Sequence, residues 1–461
     1  MPDIPASLLH AVANPAPGNV VLVVGAGCSL EPPTDLPLAA ALSSDAFRRL
    51  VVDHILVDGD VGDPGDLASV ADKVFEKTGA QEALVERMPV RRFQMAKPND
   101  GYLIAAALMR EQIIGSLLTL NYDLAATHAL VELDARDDVA IIEGPGDSAS
   151  LGLLNLVYLH RSAQRPPAEW ILRPARLEPE WEGTWEQVVA ARFLAASVVL
   201  FVGLGSAATL LAATLSKVRS VAIAGEIYQV GPEEPAASAF FGELQISEAN
   251  YIRLGWGDLM RQLAERVAEE HRAALEARCM QLAPEGPWDS VGLSDLSRRW
   301  VSIGLVGLGR LRATWILSRT DYQPHRTVDL DQIGLFLLVI RWIEQETTAI
   351  ARVSSDGVVE FWRGESFAGS ILLFTGRGVR SWHGIEDDAI RYAYRWREHS
   401  PAPTVAIVSG ATGVAADTAM PMDIAMDEQH DSILAPALGP EFVDLQALRQ
   451  NPVRIREFVH D

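Results

Sequence analysis

Three short stretches of this chain carry residue types that could act together: Gly25-Ala26-Gly27-Cys28-Ser29, Asn121 with Asp123, and His160. A fourth, Gly203-Leu204-Gly205-Ser206, repeats the glycine spacing of the first. Glycines in a tight turn let backbone N–H groups approach a phosphate without Cβ interference, and a helix starting behind the turn favours the negative charge. The Asn121 amide can donate and accept at once, which suits orienting a water and a substrate hydroxyl. An imidazole titrates near neutrality, which suits His160 as the base for either. Asp123 would hold a donor or stabilise a nearby positive charge. Each stretch also has a structural reading. A strand-to-helix turn needs glycine whether or not a ligand binds, Asn and Asp are favoured helix N-caps, and a lone His at a strand end is commonly a satisfied structural residue. Cys28 has no His partner in sequence and reads as a small buried filler.

The elements that must position these residues follow from apolar patterning. Val20–Val24 is a β-branched run that breaks into the first glycine turn, and Leu38–Leu50 behind it reads as helix, extending toward Val57. Further buried strands are expected at Ile113–Leu120, Leu153–Leu159, Ser197–Val202, Ser220–Ile223 and Ile227–Val230. Helices are expected between them, at Asp66–Thr78, Gln81–Met88, Tyr102–Glu111, Trp185–Ala195 and Ala207–Val218, and an amphipathic helix at Trp256–Ala277 closes the region. The stretch Glu31-Pro-Pro-Thr-Asp-Leu-Pro37 reads as the irregular rim of a site. Alternating strands and helices indicate an α/β fold, a doubly wound, Rossmann-like parallel sheet. Ligands in such sheets sit beyond the carboxyl ends of the strands, so all four polar clusters fall on one sheet edge.

The boundary is expected near Pro284–Pro287, which gives a first domain over 1–280 and a second, smaller α/β or α+β domain over 288–461. In the second, a helix is expected at Leu330–Thr347, a hairpin at Ile350–Trp362 turning at Asp356-Gly357, and a β-α-β unit from strand Ser370–Phe374 through helix Ile385–Glu398 to strand Thr404–Ser409. Its tryptophans supply material for a core or an interface. Its role reads as sensing or partner docking.

Composition narrows the function classes. The 461 residues hold 61 acidic against 39 basic side chains, a formal charge of −22, which disfavours nucleic acid bound through bulk charge. The pairs Arg91-Arg92 and Arg298-Arg299 read as solvated helix faces. Two cysteines, Cys28 and Cys279, exclude a four-cysteine zinc module and a disulfide framework, and fit a reducing compartment. No apolar run reaches the roughly 18 residues that suggest a membrane span, and no leader-type segment opens the chain, so a cytoplasmic protein without membrane partners is expected.

Taken in order, Gly25–Ser29, Thr119-Leu-Asn-Tyr-Asp123, Leu159-His160 and Phe201-Val-Gly-Leu-Gly-Ser206 resemble the motifs of the sirtuin-like NAD-consuming family, in particular its bacterial anti-phage branch without a zinc module. The resemblance spans about 15–275. It implies that Gly25, Ala26, Gly27 and Ser29 hold the NAD phosphates, and that Gly203, Gly205 and Ser206 lie near the adenosine half. Asn121 and Asp123 would line the nicotinamide-ribose pocket, with His160 as base. NAD is then a consumed substrate, no metal is required, and the implied activity is an NAD hydrolase that depletes NAD in defence, controlled through a homo-oligomer or a protein encoded nearby. A non-catalytic scaffold subunit is the alternative, and an NAD-dependent protein deacylase fits less well. Departures are Arg161 where the family carries Gly after the His, Leu120 in place of the deacylases' Gln, Ala207-Ala208-Thr209 where an Asp is frequent, and Leu36-Pro37-Leu38 where deacylases have Asp-Phe-Arg.

Overall fold

A computed structural model describes residues 4–13, 19–205, 208–221, 225–285, 288, 291–317, 327–412 and 440–460. The chain divides into two units, Met1–Arg266 and Val267–Asp461, and the division falls within the helix Trp256–Leu282.

The first unit is built on a seven-stranded sheet: β1 (Val20–Val24), β2 (Ile114–Thr119), β3 (Ala140–Ile142), β4 (Asn155–Tyr158), β5 (Val198–Val202), β6 (Glu226–Val230) and β7 (Tyr251–Ile252). Their spatial order is β3-β4-β2-β1-β5-β6-β7, and every pairing is parallel. Strands covered on both faces need continuous apolar sequence, and β1, β2, β4 and β5 are buried throughout. The chain goes from β1 to one side through β2 and returns to the other side at β5. This makes β1 the strand at which the winding reverses, the place where doubly wound sheets open a crevice. Register brings the strand ends level, with Val24 beside both Thr119 and Val202 and Thr119 beside Tyr158.

Several sequence expectations need correction. Ser220 and Val221 do not start a strand; they end the helix Thr209–Val221, and 222–224 lie outside the described residues. The first long helix stops at Val52 rather than Val57. The helix expected at Trp185–Ala195 is present but mixed, α over Glu186–Val189 and π over Ala190–Leu194, and the chain kinks ahead of it at Gly183, φ 82°. β3 and β7 carry too few residues to show a period and were missed.

The helix Asp100–Arg110 packs the rim of the site. Asn99 caps it by accepting from the Tyr102 N–H at 3.2 Å and also accepts from Trp256 Nε1 at 3.1 Å. The indole passes so close to the helix that a Cβ on Gly101 would lie 2.1 Å from Trp256 Nε1.

The second unit carries a mixed sheet of β8 (Ile350–Val353), β9 (Val359–Arg363), β10 (Ser366–Ser381), β11 (Val405–Thr412) and β12 (Glu441–Asp444), ordered β12-β11-β10-β9-β8. β8 and β9 form the expected hairpin at Asp356-Gly357, where Gly357 has φ 89°. β10 and β11 are parallel, with the helix Trp382–Arg391 between them in sequence, so the expected β-α-β unit is present. Trp288, Trp300, Trp315 and Trp342 belong to one core together with the helix Thr327–Thr347. Arg299 is no solvated residue, since its Nη1 donates to the buried Glu344 at 2.9 Å. Cys279 is buried and its thiol is pushed up to about 12 by desolvation. Among the described residues no helix is long and apolar enough to cross a membrane.

Gly101→Ala gains up to about 1 kcal/mol of helix propensity but must displace the indole, at about 1–3 kcal/mol for overpacking. A net loss of stability is therefore expected in urea unfolding. Gly62→Ala, where nothing lies within 4 Å of the added Cβ, should stay within about 0.5 kcal/mol of the parent.

Candidate functional site

The turns after β1 and β5 interlock at the strand ends. Gly25 N–H donates to Val202 O at 2.9 Å, Gly27 N–H to Gly203 O at 3.0 Å, and Cys28 N–H back to Gly25 O at 3.0 Å. A Cβ on Gly25 would fall 2.6 Å from Gly203 O, one on Gly27 would fall 2.8 Å from the Gly203 Cα, and one on Gly203 would fall 2.6 Å from Cys28 N. Gly203 has φ 68°, in the left-handed region. These three glycines therefore have a packing reason to be glycine, and the Gly25 and Gly27 donors are spent inside the protein. Gly205 differs: it is exposed, with nothing within 4 Å of an added Cβ. Ala26, in the first turn, is half-buried, and Ser206 lies outside the described residues.

Behind the turn, four buried polar side chains form one chain of hydrogen bonds. Ser29 Oγ donates to Asp123 Oδ2 at 2.8 Å and lies 2.9 Å from the Tyr102 hydroxyl. A serine has one proton, so Tyr102 is the donor to Ser29. Asn121 Nδ2 donates to Gly25 O at 3.0 Å, Ser29 Oγ at 3.2 Å and the Tyr102 hydroxyl at 3.3 Å. The direction of donation runs from Asn121 through Tyr102 and Ser29 to Asp123. Asp123 Oδ1 also accepts from the Ala125 N–H at 3.0 Å, at the entry of the helix Ala125–Glu132, whose N-cap position is held by Leu124 rather than by Asn121 or Asp123. Burial raises the Asp123 carboxyl above the ordinary carboxylate range, against the lowering effect of these hydrogen bonds. Burial likewise drives the Tyr102 phenol and the Cys28 thiol well up. Cys28 Sγ donates to Val202 O at 3.4 Å and is fully buried, in keeping with a filler.

His160 follows β4, and its ring meets the backbone of Leu120, which follows β2. The two strands pair at Thr119–Tyr158, so His160 and Asn121 emerge from adjacent strands. Desolvation lowers the imidazole to about 4, with smaller opposing and reinforcing effects from the Leu120 backbone and the Arg161 charge. His160 is thus neutral at pH 7. Arg161 occupies the left-handed region at φ 73°, the conformation a glycine adopts without cost. Its guanidinium is turned onto Glu180, with Nη2 2.7 Å from Oε2, and lies against Gly144, where a Cβ would come within 3.0 Å of Cζ.

Asn121, Asp123 and Ser29 are thus brought into direct contact, with Gly25 joined to them through its carbonyl. His160 stands on the neighbouring strand, and Gly203 and Gly205 on the opposite flank of β1. Tyr102 and Asn99 were missed as site residues. Asn99 Nδ2 donates to Cys28 O at 2.9 Å and ties the glycine turn to its helix. The cap-type residue ahead of an apolar helix was the available signal; nothing in the sequence marked Tyr102 off from core aromatics. Among the described residues no three His, Cys, Asp or Glu side chains are grouped to hold a metal ion.

No protein-family model matches the chain, and no curated protein sequence does. Solved structures to which it is similar include a Sir2 homologue mutant in complex with 2'-O-acetyl ADP ribose, 18% identical, covering 58% of this chain and 97% of that one, with a TM-score of 0.37. A Sir2 homologue–NAD complex is 18% identical, covering 59% of this chain and 95% of that one, with a TM-score of 0.36.

The relay predicts coupled energetics. Ser29→Ala and Tyr102→Phe should each destabilise by about 1 kcal/mol or more, since each leaves a buried partner unsatisfied. The double variant should lose measurably less than their sum in denaturant unfolding, by about 0.5 kcal/mol or more.

Proposed function

We infer that the first unit binds NAD across the carboxyl edge of its sheet and hydrolyses the nicotinamide–ribose bond. The observation that carries this is the convergence of the Gly25–Ser29 turn, Asn121 with Asp123, and His160 at the strand where the winding reverses. It joins the sequence resemblance to the sirtuin-like motifs with the place where such sheets take their ligands. In the reaction the C–N bond to nicotinamide breaks, a C–O bond from water forms, and one proton is released. Asn121 orients the water and a ribose hydroxyl, and neutral His160 accepts the proton. Asp123, held by Ser29, places negative potential near the cationic sugar carbon of the transition state. Ala26 and Gly205 are the described turn residues left to face the phosphates, because Gly25 and Gly27 have their N–H groups engaged. The Arg161 guanidinium, paired with Glu180, leaves the backbone after His160 in a glycine-like conformation. Following the resemblance, the activity serves NAD depletion in anti-phage defence, under control of an oligomeric or protein partner.

A second reading, a catalytically silent scaffold, is favoured by one feature. Ser29, Asn121 and Asp123 are buried and satisfy one another without a ligand.

Purified protein incubated with NAD, alone and with the products of neighbouring genes, should release nicotinamide, and Asn121→Ala or His160→Ala should reduce release by about 100-fold or more, the usual scale for a general base. Absence of release under every condition would establish the scaffold. Release that survives both substitutions would sink the residue assignment. Because His160 must be neutral to accept a proton and its pKa is lowered to about 4, activity should hold steady through pH 6.5 and decline only as pH falls toward 4. A fall centred near 6.5 would show that a different group is the base.

A further inference from the structure

The pair Arg91-Arg92, exposed on a helix as its sequence suggests, also lines a cleft. A cavity of about 620 Å³ opens between the rim segment that follows the glycine turn and the short helix Val90–Gln94 with its exit. Arg91, Arg92 and Lys97 supply three cations to its walls, Asp35 one carboxylate, and Leu36 and Met95 apolar surface. Met95 is 64% exposed although it is apolar, whereas Leu36 is buried.

The charges are unbalanced. Arg92 donates to the Asp35 carbonyl at 2.5 Å and lies 3.9 Å from its carboxylate, while the side chains of Arg91 and Lys97 have no hydrogen-bond or ion-pair partner among the described residues. This occurs in a chain of net charge −22, in which basic side chains have a surplus of carboxylates to pair with. The cleft is also braced. Thr34 Oγ1 donates to Lys97 O at 2.7 Å, fixing the rim segment to the opposite wall. Two unpaired cations and the Arg92 guanidinium line the same space as Leu36 and Met95, and at a volume within the roughly 300–1,000 Å³ range of small-molecule sites that lining suits a compact anion with an apolar body.

We propose that this cleft binds a phosphorylated aromatic or nucleoside-sized small molecule, its phosphate between Arg91, Arg92 and Lys97 and its apolar part against Leu36 and Met95. Arginine forks suit phosphate geometry, and the field of the acidic surface disfavours a long polyanion. The assignment does not rest on NAD hydrolysis. The rim segment begins two residues after Ser29, so an occupied cleft would also constrain the chain leaving the turn.

The test uses naphthyl phosphate, which carries neither ribose nor adenine, titrated calorimetrically into the full chain with and without excess NAD. Binding should be seen in both cases and should weaken as salt rises. It should fall by about tenfold or more, a difference of about 1.4 kcal/mol, in Arg91→Gln/Lys97→Gln and further in Arg91→Glu/Lys97→Glu. Both positions are exposed, and thermal melts check that the variants fold. Inorganic phosphate should bind more weakly than the aromatic probe. Equal affinity in parent and variants, displacement of the probe by NAD, or no binding to the parent would each overturn the proposal. None of those results depends on whether nicotinamide is released.

Discussion

The organisation of the first unit depends on how closely two backbones approach one another. The turn after β1 and the turn after β5 come within hydrogen-bonding distance at Gly25, Gly27 and Gly203, with no room for a single Cβ between them. Because the two strands are neighbours in a fully parallel sheet, this contact sets where the chain leaves β1. It thereby sets where Ser29 points, and Ser29 anchors Asp123, Tyr102 and Asn121. Glycine at these positions is demanded by packing before any ligand is considered. In the proposed reading the phosphates are therefore left to Ala26 and the β5 flank.

The polar relay beneath the turn is the second constraint. Burying Asn121, Tyr102, Ser29 and Asp123 would be costly for any of them alone, and each is tolerated because the others satisfy it. Such a network fixes side-chain orientation without drawing on a ligand, which is what a preorganised site needs and also what a purely structural core would show. In the proposed reading the chemistry of the edge therefore turns on His160, which is half-buried. The same principle appears in the second unit, where Glu344 is buried between Arg299, Arg341 and the Ala351 N–H.

Most of the architecture was legible because its signals are local. A β-branched run ending in Gly25, and similar runs ending at Asn121, His160 and Gly203, could be read as buried strands with polar ends, and their order implied one sheet edge. The Asp356-Gly357 hairpin and the β10–β11 unit were legible for similar reasons. What escaped depended on partners distant in sequence. Nothing near Tyr102 shows that Ser29 lies against it, nothing near Gly101 announces the Trp256 indole, and the backbone conformation of Arg161 cannot be read from an arginine. Arg91 and Arg92 are exposed on a helix as their sequence suggests; that they also line a cleft depends on an opposite wall distant in sequence.

Each unit contains a single cysteine, and both are sealed. Cys28 sits under the interlocked turns with its thiol pushed well up, and Cys279 is buried in the helical core of the second unit with its thiol at about 12. Only the thiolate attacks an alkylating reagent, so neither sulfur should react until the surrounding structure opens. The chain thus carries two built-in labels whose alkylation rates report the opening of the glycine interlock and of the second core separately, without any engineered residue.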